Sequence, residues 1–70
     1  MSTLESEEVD GFIHNTLNPL NSITLHAELG KMLVEENASN EQIKEIFSVI
    51  LQQCASCEQI LTEMRTTLAE

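Results

Sequence analysis

Residues 40–68 read NEQIKEIFSVILQQCASCEQILTEMRTTL. Within them Ile43, Phe47, Ile50, Cys54, Cys57, Leu61, Met64 and Leu68 step by four and three without a break. That spacing is the seam of a left-handed helical bundle. Ile46 and Ile60 flank the seam and widen it enough to touch two neighbours, a breadth that suits a bundle better than a two-stranded coil. The stretch predicts a helix over about 40–68.

Working outward, Asn37-Ala38-Ser39-Asn40 supplies a turn at 37–39. Ser39 followed by Gln42 fits a capping box, and Ala38 with Ile43 forms a weak staple. A connection this short makes the helices it joins antiparallel neighbours. Upstream, positions 9, 13, 16, 20, 23, 27, 30 and 34 repeat the four-and-three spacing, which predicts a first helix over about 7–36. Thr16, Ala27 and Gly30 are small members of that seam, and Gly30 costs about 1 kcal/mol of helix propensity. Residues 1–6 read as a frayed polar start. Ser6 or a residue just before it is expected to cap the helix, with Glu7, Glu8 and Asp10 at the positive end of its dipole.

Seventy residues make a single domain, marginal if alone. There is no Trp or Tyr, and Phe12 and Phe47 are the aromatics, so the apolar mass is aliphatic and spread along two stripes. Two helices packed only on each other leave half of each stripe wet. Self-association resolves this most simply as a twofold dimer. The expected fold is therefore all-α: an antiparallel two-helix hairpin forming a dimeric four-helix bundle.

Charge narrows the function. Twelve acidic residues stand against three basic ones, a net charge of −9. Phosphate contacts need clustered Lys or Arg, so nucleic acid is not an expected partner, and neither is an anionic membrane surface. No apolar run approaches a membrane span, and the opening residues are polar and acidic, unlike a signal peptide. The expected location is the cytoplasm.

The remaining signal lies in the first helix, at His14-Asn15-Thr16-Leu17-Asn18-Pro19-Leu20. Pro19 removes a backbone donor and crowds the carbonyl of Asn15, at a cost of roughly 3 kcal/mol or more. A kink or bulge is expected one turn past His14. With Ile23 at the centre of the apolar stripe, His14 falls about 180° away, with Asn18 and Asn21 near it. Spacing alone leaves open whether His14 is an ordinary surface histidine or a functional one. Leu25 and Met32 share its outward side and make an apolar strip of the kind a partner helix docks on. Leu17 and Asn21 join them as expected docking residues.

Residues 12–29, FIHNTLNPLNSITLHAEL, resemble the H-box of the dimerisation and histidine-phosphotransfer domain of sensor histidine kinases. His14, Asn18, Pro19, Leu20, Ile23, Ala27, Glu28 and Leu29 match that pattern, and the hairpin extends the similarity over nearly the whole chain. The resemblance implies a two-component phosphotransfer and dimerisation module. His14 would be the phosphoacceptor, exchanging phosphate with an aspartate of a response-regulator receiver. Asn15 and Asn18 would orient the imidazole or a water, and Pro19 would shape the backbone. The implied partners are a second copy, the receiver, and a separate kinase ATP-binding domain. ATP and magnesium would enter only with those partners; no cofactor is expected on this chain.

Two positions depart from the pattern. Asn15 stands where the family carries an acidic residue, and an amide is no general base at neutral pH. Leu17 replaces a basic residue, so one cation that would balance an incoming phosphate is missing. These departures support an alternative: a degenerate kinase-like module that binds and sequesters a kinase or a response regulator. No nucleotide motif or catalytic triad is present, so any enzymatic role is at most the phosphoacceptor half of a kinase, or a phosphotransferase or phosphatase working with partner domains.

Cys54-Ala55-Ser56-Cys57 invites a metal or redox reading. Both cysteines lie on a helical seam with no turn beside them, at the expected level of Leu20 and Asn21, and His14 points away. They read as core packing, and no metal is expected. His26, about 60° from the seam centre, reads as a half-buried boundary histidine.

Overall fold

A computed structural model describes the backbone of residues 3–69 and the side chains of residues 7–69. It contains two helices, α1 (Thr3–Glu35) and α2 (Asn40–Ala69), packed along each other. Among the described residues there is no strand. The hairpin is a rod of about 53 × 17 × 9 Å. Helix α1 begins at Thr3, so Ser6 lies inside the helix and does not cap it. The expected fray at Met1 and Ser2 lies outside the described residues.

The turn is built from backbone geometry. Asn37 adopts a left-handed conformation with φ of 60°. The Ala38 amide donates to the Leu33 carbonyl at 2.9 Å and the Asn37 amide to the Val34 carbonyl at 3.1 Å. This pair of bonds is a Schellman motif, which satisfies carbonyls the helix end would otherwise leave open. Asn tolerates the left-handed region better than most residues, which suits it to this position. The expected capping box follows at once. The Gln42 amide donates to Ser39 Oγ at 3.2 Å, and the Ser39 amide donates to Gln42 Oε1 at 3.3 Å.

The contact face is turned slightly from the expected seam. In α1 the least exposed positions are Val9, Phe12, Thr16, Pro19, Ile23, His26, Gly30 and Leu33, with Ser22 beside them. In α2 they include Ile43, Ile46, Ile50, Gln53, Cys57, Ile60 and Met64. Every second seam residue is shared with the sequence reading; the alternate ones are displaced by one residue in each helix. Leu20, Val34, Phe47 and Leu61, which the spacing placed on the seam, are 44–59% exposed. The cause is breadth: each apolar sector is wider than one helix can cover, so the hairpin covers one edge and leaves the other.

The uncovered edges lie on the same side of the rod. Val34 and Ala27 share a groove of about 440 Å³ with Ile43 and Phe47, and Ile13 and Leu17 share a second groove with Leu61. Leu51, on the same flank of α2, is 69% exposed. Among the described residues only Pro19 and Cys57 are buried.

Charges are distributed unevenly along the rod. Residues 11–27 of α1 and 46–57 of α2 contain no Asp, Glu, Lys or Arg. The two segments overlap in the antiparallel pairing, so the middle of the rod is an uncharged belt between acidic ends.

Gly30 faces α2, and a Cβ built on it would lie 3.4 Å from Ile46 Cγ2, an ordinary van der Waals contact. Gly30→Ala is therefore expected to recover about 1 kcal/mol of helix propensity. Thermal unfolding should show Tm raised by about 5 °C.

Candidate functional site

His14 is carried on the side of α1 turned away from α2, and its side chain is 73% exposed. At about 100° per residue, Asp10 and Asn18 fall about 40° to either side of it, one turn back and one turn on, with Asn21 close to the same line two turns on. The four polar side chains form a column on the outer surface. Asp10 Oδ2 lies 3.7 Å from His14 Nε2. This carboxylate was not singled out from the sequence as a partner of His14, although acid and histidine four apart on a helix are surface neighbours.

Asn15 is elsewhere. It lines a shallow hollow with Glu8, Gly11, Phe12 and Thr67 of α2, about 100° around the helix from His14. Asn18 is exposed beside the imidazole. The two asparagines expected to orient the ring are thus on different faces, and Asn18 is the one in the His14 column.

Pro19 is buried on the contact face, where the spacing had placed Leu20. Helix α1 runs through it without interruption. Its ring removes the donor that would have closed on the Asn15 carbonyl, so the weakened turn of the helix lies between His14 and the packed surface. One turn earlier Thr16 Oγ1 donates to the Phe12 carbonyl at 2.8 Å, a side-chain bond that competes with the helical ladder. The Cys57 thiol lies 3.9 Å from the Thr16 carbonyl and approaches α1 at this same segment.

The expected docking residues do not all share one line. Leu25 and Met32 are 63% and 54% exposed and lie within about 20° of the His14 line around α1. Leu17 lies about 60° from that line, toward the groove it shares with Ile13 and Leu61. Leu29, not singled out from the sequence, adds a 39% exposed apolar surface near Leu25 and Met32.

His26 is half-buried at the groove edge, and its Nδ1 lies 2.8 Å from the Ser22 carbonyl. That distance makes Nδ1–H the donor, since the carbonyl accepts only. The ring is thereby tied to its own helix. Cys57 is buried and Cys54 half-buried, both as free thiols. Cys57 sits against Thr16, about one turn closer to the start of α1 than the expected level of Leu20. Among the described residues no three His, Cys, Asp or Glu side chains gather as a metal site requires. No described helix is long and apolar enough to cross a membrane.

No protein-family model, curated protein or solved structure matches the chain.

Pro19→Ala tests how the proline sets this segment. Restoring the missing helical bond regains about 3 kcal/mol, and losing two buried methylenes costs about 0.8 kcal/mol each. The variant should be more stable by about 1 kcal/mol in urea unfolding, with its methyl NMR changes centred on residues 14–20.

Proposed function

We propose that this chain is a dimerising phosphotransfer module of a two-component system, with His14 as phosphoacceptor. The observation that carries the reading is the position of His14. It lies outside both the α2 contact and the apolar flank, so closing a four-helix bundle on that flank leaves the imidazole open to a partner. A histidine there, with Asn18-Pro19-Leu20 following at the spacing of the kinase H-box, is suited to nucleophilic transfer. A ring-nitrogen lone pair attacks the phosphorus of the donor while the bond to the donor's leaving oxygen breaks, and a receiver aspartate later takes the phosphoryl group. Magnesium and nucleotide belong to the partner domains. Asn18, in the His14 column, would position the ring or a hydrolytic water. Leu25, Leu29 and Met32, about three to five turns further along α1 on the same outward side, provide apolar surface on which a receiver helix would dock.

The dimer is part of the same proposal. The hairpin exposes 5509 Å², whereas a folded monomer of its mass exposes about 4,400 Å². The excess of about 1,100 Å² is close to the roughly 800 Å² that each partner buries in a standard interface. The apolar flank holding Leu20, Val34, Phe47, Leu51 and Leu61 is the surface on which that burial would take place. The wild type is expected to sediment as a dimer. Phe47→Glu places a carboxylate on that flank and should weaken the dimer by tenfold or more on the order-of-magnitude scale of buried aromatic anchors. A helical wild-type monomer at high concentration would remove the bundle from the proposal.

Phosphoryl transfer to the purified protein from a kinase ATP-binding domain or a phosphorylated receiver tests the activity. An acid-labile, base-stable label is expected on the wild type. It should be absent from His14→Gln, with helicity and assembly unchanged because the side chain lies outside both packing surfaces. Binding to these donors without any label would favour the sequestering module instead, which the amide at Asn15 and the apolar Leu17 would suit.

A further inference from the structure

We infer that the outer strip of Leu25, Leu29 and Met32 receives a partner helix whose apolar stripe is bordered by Lys or Arg. The inference rests on the docking part of the reading above and adds the chemistry of the partner; it does not require that His14 carry phosphate. Leu25, Leu29 and Met32 are 63%, 39% and 54% exposed. They step by four and three along the side of α1 turned away from α2. That spacing presents one apolar line to a neighbour, the pattern on which an amphipathic helix is received. The strip starts about 16 Å along the helix axis from His14, so a helix seated on it leaves the imidazole uncovered.

Charge assigns this face to a different partner from the one on the apolar flank. Around α1, Glu28 and Glu35 fall about 40–60° to one side of the His14 line, and Glu36 falls about 40° to the other. The Glu36 amide still closes on the Met32 carbonyl at 3.0 Å, so the helical phase holds that far. All three carboxylates are exposed, and the strip lies between them. The chain's three cations are elsewhere. Lys31 lines the large groove on the flank. On α2, Arg65 falls on the line of Phe47, and Lys44 within about 20° of the line of Leu51. The flank therefore offers both signs to a second copy, which is itself acidic. The outer strip offers carboxylates alone. Two copies laid strip to strip would set Glu28, Glu35 and Glu36 against their own counterparts, which like-charge repulsion opposes. What fits is a helix apolar at its centre and cationic at its edges. Its aliphatic side chains would cover Leu25, Leu29 and Met32, while Lys or Arg at its margins reach the carboxylates with their charged ends still in water.

The test titrates the protein with short helical peptides and follows its methyl NMR spectrum. One peptide has leucines on a single stripe and lysines elsewhere; a second replaces lysine by glutamate; a third keeps the leucine–lysine composition but scatters the leucines around the helix. The striped leucine–lysine peptide should bind, with shifts centred on Leu25, Leu29 and Met32, and the glutamate peptide should not. Leu25→Gln combined with Met32→Gln should weaken binding by about tenfold, the scale of a lost apolar anchor. Circular dichroism of that variant should match the wild type, because both side chains are exposed. Glu28→Gln combined with Glu35→Gln should flatten the salt dependence of binding. Shifts centred on Phe47, Leu51 and Leu61 would assign the peptide to the flank and overturn the inference. Equal binding by the scattered or the glutamate peptide, or an unchanged affinity in the Leu25→Gln, Met32→Gln variant, also overturns it. Phosphoramidate, a donor too small to need docking, separates the two readings. Label at His14 without peptide binding removes the strip and keeps the phosphoacceptor. Peptide binding on the strip without label does the reverse.

Discussion

Two helices lying side by side can cover only one sector of each other, and both helices here carry a sector wider than that. The rest of the structure follows from this mismatch. The hairpin covers one edge of each stripe, around Ile23, Gly30, Ile50 and Cys57, and leaves the other edge on one side of the rod. Because the partnership is antiparallel, the two uncovered edges meet on the same face and form a continuous apolar surface. What remains on α1 is the outer line that carries His14. The arrangement of site, hairpin contact and open flank is thus set by how three sectors of one helix are divided.

Much of this was legible in the residues. The two seams, the turn, the antiparallel pairing and the Ser39–Gln42 cap all rest on local chemistry, and short-range rules are sufficient for them. The contact face was less legible, because a stripe broad enough for two neighbours does not say which neighbour takes which edge. Leu20 was expected inside, but Pro19 is there instead. Hydrophobic spacing favours the larger aliphatic side chain, whereas the compact ring is the one covered, one turn from where the Cys57 thiol meets the Thr16 carbonyl. The helix start differs as well: a cap was expected at Ser6 or just before it, and the helix extends back to Thr3.

At the candidate site the histidine and its outward phase could be read from periodicity alone. The acidic neighbour of His14 could not be read from the resemblance, which directs attention to the adjacent residue, Asn15. On a helix, adjacent residues diverge by about 100° while residues four apart nearly align. Sequence proximity therefore pointed to the amide, and the helical surface brings in Asp10. The same geometry keeps Leu25 and Met32 on the His14 line and turns Leu17 about 60° away from it, toward the groove with Leu61.

The uncharged belt has a consequence for how far any association can proceed. A second rod laid fully alongside the first matches neutral middle to neutral middle. A rod displaced lengthwise sets an acidic end over its neighbour's apolar belt, where desolvating carboxylates has no compensation. Growth by staggered overlap, the route by which one-sided sticky rods become fibres, is opposed at each step. The charge pattern acts as a ruler, favouring a closed pair of aligned rods over an open-ended chain.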